Sequence, residues 1–192
     1  MRTTPVKVFD DIYAKVPAGS NGLLYSPWIF GERSPVDDPF IRGGTHNVSL
    51  HNNREDIIRA VFEGVAFNAK WLLERVSRFL EKRCDTIRIA GGGAASDVWC
   101  QIHADILDRR ILQVFDPIRT NARAAGLIGA AGIGAISMEA VPDLVKIRKV
   151  YEPDHTHRRL YDERFYIFKQ LYRRNRRLYR RLNEPRHTGN TA

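Results

Sequence analysis

Five consecutive small residues, Gly91-Gly92-Gly93-Ala94-Ala95, stand between a β-branched run and a helical pattern. Thr86 to Ala90, with Ile87 and Ile89, reads as a strand. Ser96 or Asp97 is placed to cap a helix continuing through Trp99, Ile102, Ile106 and Leu107. Glycines at such a junction let the backbone approach a ligand, and they leave amides and the positive helix end facing it. Phosphates or a purine-ribose edge are the natural occupants. The same residues also suit a tight connection with no ligand. A dinucleotide site is a further alternative: Gly91, Gly93 and Asp116 partly meet its pattern, although Ser96 stands where the third glycine belongs.

The remaining reactive residue types are scattered. His155 and His157 have no Cys or acidic triad at metal-ligand spacing and read as a solvated linker. Cys84 and Cys100 make no disulfide framework and suit a reducing compartment; Cys100, beside Trp99 on an apolar helix, has no mark of a nucleophile. Trp71 and Trp99 read as core residues, whereas Trp28, in the loop before Gly31, is open to contact with a ligand or another domain.

The glycine turn is positioned by an α/β unit. A second strand, Ile111 to Phe115, ends at Asp116-Pro117, and a helix rich in small residues follows from Ala122 to Ile136. In such units ligands lie outside the carboxyl ends of the strands. Upstream, Val8 to Val16 forms a short helix, Leu23 to Tyr25 a strand, and Gly22 to Gly44 a turn-rich segment. Asn52 or Asn53 caps a long helix whose buried face is expected at Ile58, Val61, Phe62, Val65, Ala69, Leu72, Val76 and Phe79 or Leu80. Gly64 inside it costs about 1 kcal/mol relative to alanine, which points to close contact with another backbone.

Of 192 residues, 31 are Lys or Arg and 22 are Asp or Glu, for a net charge of +9. From His155 onward there are eleven basic and three acidic residues, so this segment holds nearly all of the excess. Tyr161, Phe165, Phe168, Tyr172, Tyr179 and Leu182 recur there at helical spacing, with arginines on the other side. An RNA- or membrane-binding helix is one reading. Docking of the aromatic face with solvated arginines is the preferred one, and nucleic acid is not an expected partner. With 43% hydrophobic residues the chain can build a core. Its longest uncharged run, Ala124 to Met138, is too short for a membrane span, and Met1 opens no signal peptide. A cytoplasmic protein without membrane contact is expected.

Three stretches together resemble the FGGY carbohydrate kinases of the actin-like ATPase superfamily, most closely the xylulokinase branch. Gly31-Glu32-Arg33-Ser34-Pro35 with Asp38-Pro39 looks like one family loop. Asp56-Ile57 and Ala60-Val61-Phe62-Glu63-Gly64 are similar to the second signature. Ile89 to Ala94, then Gln101, Ala104-Asp105-Ile106, Gly126 and Gly129-Ala130-Ala131, look like the nucleotide loop and the helix after it. Two positions depart from the pattern: Thr45 replaces an aromatic or aliphatic residue and Asn47 replaces a glycine, which asparagine can imitate in left-handed backbone.

The resemblance implies an α/β, ribonuclease-H-like domain, incomplete at its N-terminal strands, with a C-terminal amphipathic helix. The partial nucleotide-side domain would span 1–154, and the basic helix and tail 155–192. Gly91, Gly92, Gly93, Ala94 and Ser96, with Ala95 shaping the turn, would surround the adenosine of ATP, and Asn121 is a weaker candidate. Glu32, Arg33, Glu63 and Gly64 would hold the loop against the long helix, with an Arg33–Glu63 pair as one arrangement. ATP and Mg²⁺ are the implied cofactors and a sugar or polyol hydroxyl the acceptor. The catalytic aspartate belongs to an N-terminal domain that this chain does not match, so no catalytic or metal-binding residue is expected here. Asp97, Asp105 and Asp116 do not correspond to it. The chain is expected to be inactive alone; a complementing N-terminal half or a second copy are its candidate protein partners. A non-catalytic nucleotide-binding module and an NAD-type domain stand as alternatives.

Overall fold

The computed structural model of the chain describes residues 15–184. The helix expected over Val8 to Val16 lies outside them except for its last two residues. β1 (Leu24–Ser26) pairs antiparallel with β2 (Gly44–His46). The long helix α1 (Arg54–Phe79) follows, and then β3 (Thr86–Ile89), α2 (Asp97–Leu107), β4 (Arg110–Val114) and α3 (Thr120–Gly132). A single-turn helix α4 (Val141–Leu144), β5 (Ile147–Tyr151) and the terminal helix α5 (Arg158–Asn183) complete the order.

The second sheet has the order β3-β4-β5, with β3 parallel to β4 and β5 antiparallel to it. β5 was not apparent from the sequence, because Arg148 and Lys149 interrupt its apolar pattern and only Tyr151 of its residues is buried. Its backbone pairing with β4 makes the strand. Glu152 to His157 is also no free linker. Gln101 donates to the Glu152 carbonyl (2.8 Å), and Asp105 accepts from the Asp154 amide (2.9 Å).

Asn53 starts α1 through a reciprocal box. Its side chain accepts from the Asp56 amide, and the Asp56 carboxylate accepts from the Asn53 amide, both at 2.9 Å. The buried face differs from the expected one. It runs through Asp56, Arg59, Ala60, Glu63, Gly64, Ala66, Phe67, Lys70 and Trp71, whereas Ile58, Val61 and Val65 are half-buried and Leu72, Val76, Phe79 and Leu80 are exposed. Apolar periodicity missed this face because four of its members are charged and each is matched by hydrogen-bond partners within the fold.

Glu63 is at the centre of that matching. Its carboxylate accepts from Arg59 Nε (2.8 Å), the Gly19 amide (3.0 Å), Ser20 Oγ (2.8 Å) and the Tyr161 hydroxyl (3.0 Å). Arg59 also donates to the Val16 carbonyl and to the Tyr161 oxygen (3.2 Å). The pair thus joins the start of the described chain, α1 and α5. The expected Arg33–Glu63 pair is not formed: Arg33 is exposed, and Arg59, one helical turn away, takes its place. Glu32 does tie its loop to α1, accepting from Asn68 (2.8 Å) and from the amides of Arg33 and Ser34.

Trp28 is a core residue, not a ligand contact. It is 1% exposed, its ring lies 5.0 Å from that of Phe168, and its Nε1 donates to Asn68 (3.0 Å). Tyr161, Phe165 and Phe168 dock α5 into the same cluster, with Phe67 and Trp71. Arg173, Arg174, Arg176, Arg177, Arg180 and Arg181 are exposed, and so is Leu182, which was expected inside. Asn47 adopts the left-handed conformation (φ 64°), and its side chain donates to the Gly22 carbonyl (3.1 Å), so the turn forms without glycine.

A Cβ at Gly64 would lie 2.2 Å from the Tyr25 carbonyl oxygen, the close backbone contact its position implied. Gly64→Ala is therefore expected to destabilise the fold by about 1–3 kcal/mol despite better helix propensity. Glu63→Gln, which leaves Arg59 uncompensated, should cost about 3–5 kcal/mol. Urea denaturation of the full chain followed by circular dichroism measures both; a midpoint unchanged in either variant contradicts the packing described.

Candidate functional site

The two parallel strands end side by side, and the turns leaving their carboxyl ends are joined. The Gly91 amide, after β3, donates to the carbonyl of Pro117, after β4 (2.9 Å). Gly91 is left-handed (φ 94°), as is Asp116 (φ 45°) on the other turn. Gly91 to Ser96 then closes a single 3-10 turn, with the amides of Ala94, Ala95 and Ser96 donating to the carbonyls of Gly91, Gly92 and Gly93.

The three glycines have different roles. A Cβ at Gly91 or Gly92 would meet nothing within 4 Å, so both border open space, and Gly91 is required by its φ. A Cβ at Gly93 would lie 1.3 Å from the Trp99 ring. Gly93 is thus demanded by packing within the protein. That ring stacks on Phe62 of α1 (5.8 Å) and meets His103 edge-on (5.1 Å). Ala94 is buried, and Ser96 Oγ caps α2 by accepting from the Trp99 amide (3.1 Å). Asn121 is exposed in the first turn of α3, beside the Pro117 turn, where Thr120 Oγ1 donates to the Pro117 carbonyl (2.8 Å). The fold therefore gathers the expected residues at one end of the sheet. Gly91, Gly92 and Asn121 form its open side, and Gly93, Ala94 and Ser96 its scaffold.

Gln113 and Tyr151 support this turn and were not foreseen. Gln113, fully buried on β4, donates to the Ala94 carbonyl (2.7 Å) and accepts from the Tyr151 hydroxyl (3.2 Å). Burial, followed by hydrogen bonding with Asp97, pushes the Tyr151 phenol well above its ordinary range. The signal in the sequence was a lone amide within Ile111 to Val114. Asp97 faces Arg148 (3.2 Å) and Lys149 (3.3 Å). Burial works to raise its pKa, but hydrogen bonds with Tyr151, Lys149 and Gln113 and the Arg148 charge bring it below the usual value. Asp105 accepts from Gln101 (2.7 Å), and Asp116 pairs with Arg119 (3.3 Å). All three carboxylates are engaged in structural contacts. Among the described residues no group of three or more His, Cys, Asp or Glu could hold a metal ion.

His103 links the site to pH. Burial lowers its pKa below 6.5, outweighing the Nδ1–H donation to the Trp99 carbonyl (2.9 Å). The folded state therefore binds fewer protons than the unfolded one as pH falls below that of a free imidazole. Stability is expected to decline by up to about 1.4 kcal/mol per pH unit below about 6.5 from this group. In His103→Gln that slope between pH 7 and 5 should be lost; thermal midpoints at each pH measure it, and parallel profiles for the two proteins refute it.

The FGGY family of carbohydrate kinases, C-terminal domain, matches residues 3–138. The xylulose kinase of Bacillus subtilis is 32% identical over 161 residues, which are 82% of this chain and 32% of that enzyme. The gluconokinase of the same organism is 31% identical over 142 residues, covering 73% of this chain and 28% of the relative. A ligand-bound xylulose kinase from Lactobacillus acidophilus superposes with a TM-score of 0.80 over 93% of this chain and 36% of its own, at 24% identity, a likeness of fold. The chain spans about a third of the length of the curated relatives it matches. The match over residues 3–138, together with relatives at 31–32% identity, establishes that the chain belongs to the FGGY family of carbohydrate kinases.

Proposed function

We propose that this chain is the nucleotide-side portion of an ATP-dependent sugar kinase, which transfers the γ-phosphate of ATP to a sugar or polyol hydroxyl when an N-terminal domain is present. The observation that carries this reading is the Gly91–Pro117 junction. It sets open backbone, at Gly91 and Gly92, against the exposed first turn of α3 at the carboxyl ends of two parallel strands. A purine-ribose fits this chemistry, because no side chain projects from Gly91 or Gly92 and the Gly92 amide has no backbone acceptor among the described residues. Gly93, Ala94 and Ser96 would shape that surface from behind, and Asn121 would close its side. ATP, when bound, supplies the transferable phosphoryl group. Mg²⁺ would be held largely by the phosphates of ATP and water, since the described residues gather no group of three or more His, Cys, Asp or Glu.

In this reading residues 1–154 form the nucleotide-side body and 155–192 its basic terminal helix and tail. A xylulose-like acceptor is favoured because xylulose kinases recur among the relatives, and the gluconokinases and a glycerol kinase among them widen the class to sugar acids and polyols. The protein would act in the cytoplasm. No described helix is long and apolar enough to cross a membrane.

Phosphoryl transfer depends on a positioned base and alignment between two domains. Asp97, Asp105 and Asp116 are engaged in structural contacts, which supports a base supplied by an N-terminal domain; the chain alone would then be inactive. Three surfaces support a complementing N-terminal segment. α3 buries no residue, β3 is the edge of its sheet among the described strands, and Leu72, Val76 and Phe79 of α1 are exposed.

Isothermal titration of the full chain with Mg-ATP is expected to show saturable binding, with no comparable response to NAD. Gly92→Leu, at an open position, should weaken ATP at least tenfold while leaving the thermal midpoint unchanged. Sugar-dependent ADP release should appear only when a separately produced N-terminal half of a xylulose kinase is added. Equal binding by Gly92→Leu refutes the site assignment, and kinase-like turnover by the chain alone refutes its inactivity.

A further inference from the structure

A cavity of about 530 Å³ lies at the end of β4 opposite the glycine turn, lined by the second half of α1, the Asp108-Arg109 corner and the inner side of α5. Six of its lining residues are cationic: Lys70, Arg78, Arg83, Arg109, Arg158 and Lys169. Only two, Glu74 and Asp108, are acidic. Nearby carboxylates offset part of this charge. Asp162 pairs with Lys70 (2.9 Å) and Arg158, Glu74 with Lys169 (3.1 Å), and Asp85 with Arg83 (2.7 Å). Asp108 is shared by Arg83, Arg109 and Arg158 at 3.2–3.7 Å. Arg78 has no acidic partner among the described residues. Counting Asp85 and Asp162 as well, four carboxylates stand against six cations.

The hydrogen bonding is also incomplete. Ser77 Oγ, Arg109 Nε and Arg158 Nη1 belong to lining residues, are buried as atoms, and have no hydrogen-bond partner among the described residues. Arg158 Nη1 lies 3.2 Å from Asp108 without donating to it. Six cations against four carboxylates, with Arg78 unpaired among the described residues, leave the cavity a positive charge for an anion to balance. Guanidinium and ammonium groups together suit an anion with several oxygens and more than one charge. We propose that this cavity is a second ligand site, separate from the glycine turn, which binds a phosphate-bearing small molecule such as a diphosphate or a phosphate monoester. The site brings together α1, α5 and the start of β4, so its occupation would brace the terminal helix against the sheet.

Isothermal titration of the full chain with pyrophosphate at low salt tests this. One saturable site with a submillimolar Kd is expected, against a potassium chloride reference of matched ionic strength. Arg78→Glu, at an exposed position, should weaken binding at least tenfold, with circular dichroism confirming that it is folded. Arg78→Ala, weakening binding in the same direction by a smaller factor, serves if the charge reversal disturbs the fold. Gly92→Leu should bind pyrophosphate as the parent does. Absence of saturable binding, equal affinity in the Arg78 variants, or loss of binding in Gly92→Leu overturns the proposal.

Discussion

The fold turns on one buried ion pair. Arg59 and Glu63, one turn apart on α1, are almost wholly removed from water, with side-chain exposures of 5% and 2%. Such a pair persists only where its remaining hydrogen-bonding capacity is filled. Here Gly19, Ser20 and Tyr161 bond to Glu63, while Val16 and Tyr161 accept from Arg59. Three segments distant in sequence are thereby fixed to one another. Around this polar centre the aromatic cluster of Trp28, Phe67, Trp71 and Phe168 supplies the apolar burial that holds α5 in place. That docking also disposes of the positive charge: the arginines of α5 are the wet side of a helix anchored by its aromatic residues.

The glycine turn shows how similar residues in one motif answer to different demands. Gly93 is small because Trp99 occupies the space where its side chain would be, and Trp99 is itself held between Phe62 and His103. Gly91 is needed for backbone conformation, and Gly92 stands against open space. Tyr151 and Gln113 then fix the Ala94 carbonyl from behind the sheet. The packed residues hold the turn rigid, and the open ones are where a ligand can approach.

The unpartnered surfaces agree with the chain's share of its relatives' length, about a third. Apolar residues on α1 lie opposite its buried charged face, so this helix has two faces that exclude or tolerate burial for different reasons. Only one is covered among the described residues. α3, likewise, rests on the sheet through the Pro117 turn and not through a buried stripe of its own.

Local order was legible in the sequence. Asn53 as a cap, Gly64 as a close contact, Ser96 opening α2, and the strand–turn–helix order around Gly91 all follow from backbone and side-chain chemistry within a few residues. The turn itself, and the family resemblance carried by its spacing, were likewise evident. Tertiary structure decided which partners fill each site. Arg59 in place of Arg33 at Glu63, Trp28 in the core, β5 as a strand, and Gln113 behind the turn depend on groups brought together from 4 to 102 positions apart. Periodicity counts apolar residues and treats charge as a sign of solvent, but a charge whose partners arrive from other elements can be buried, and only the assembled fold places those partners.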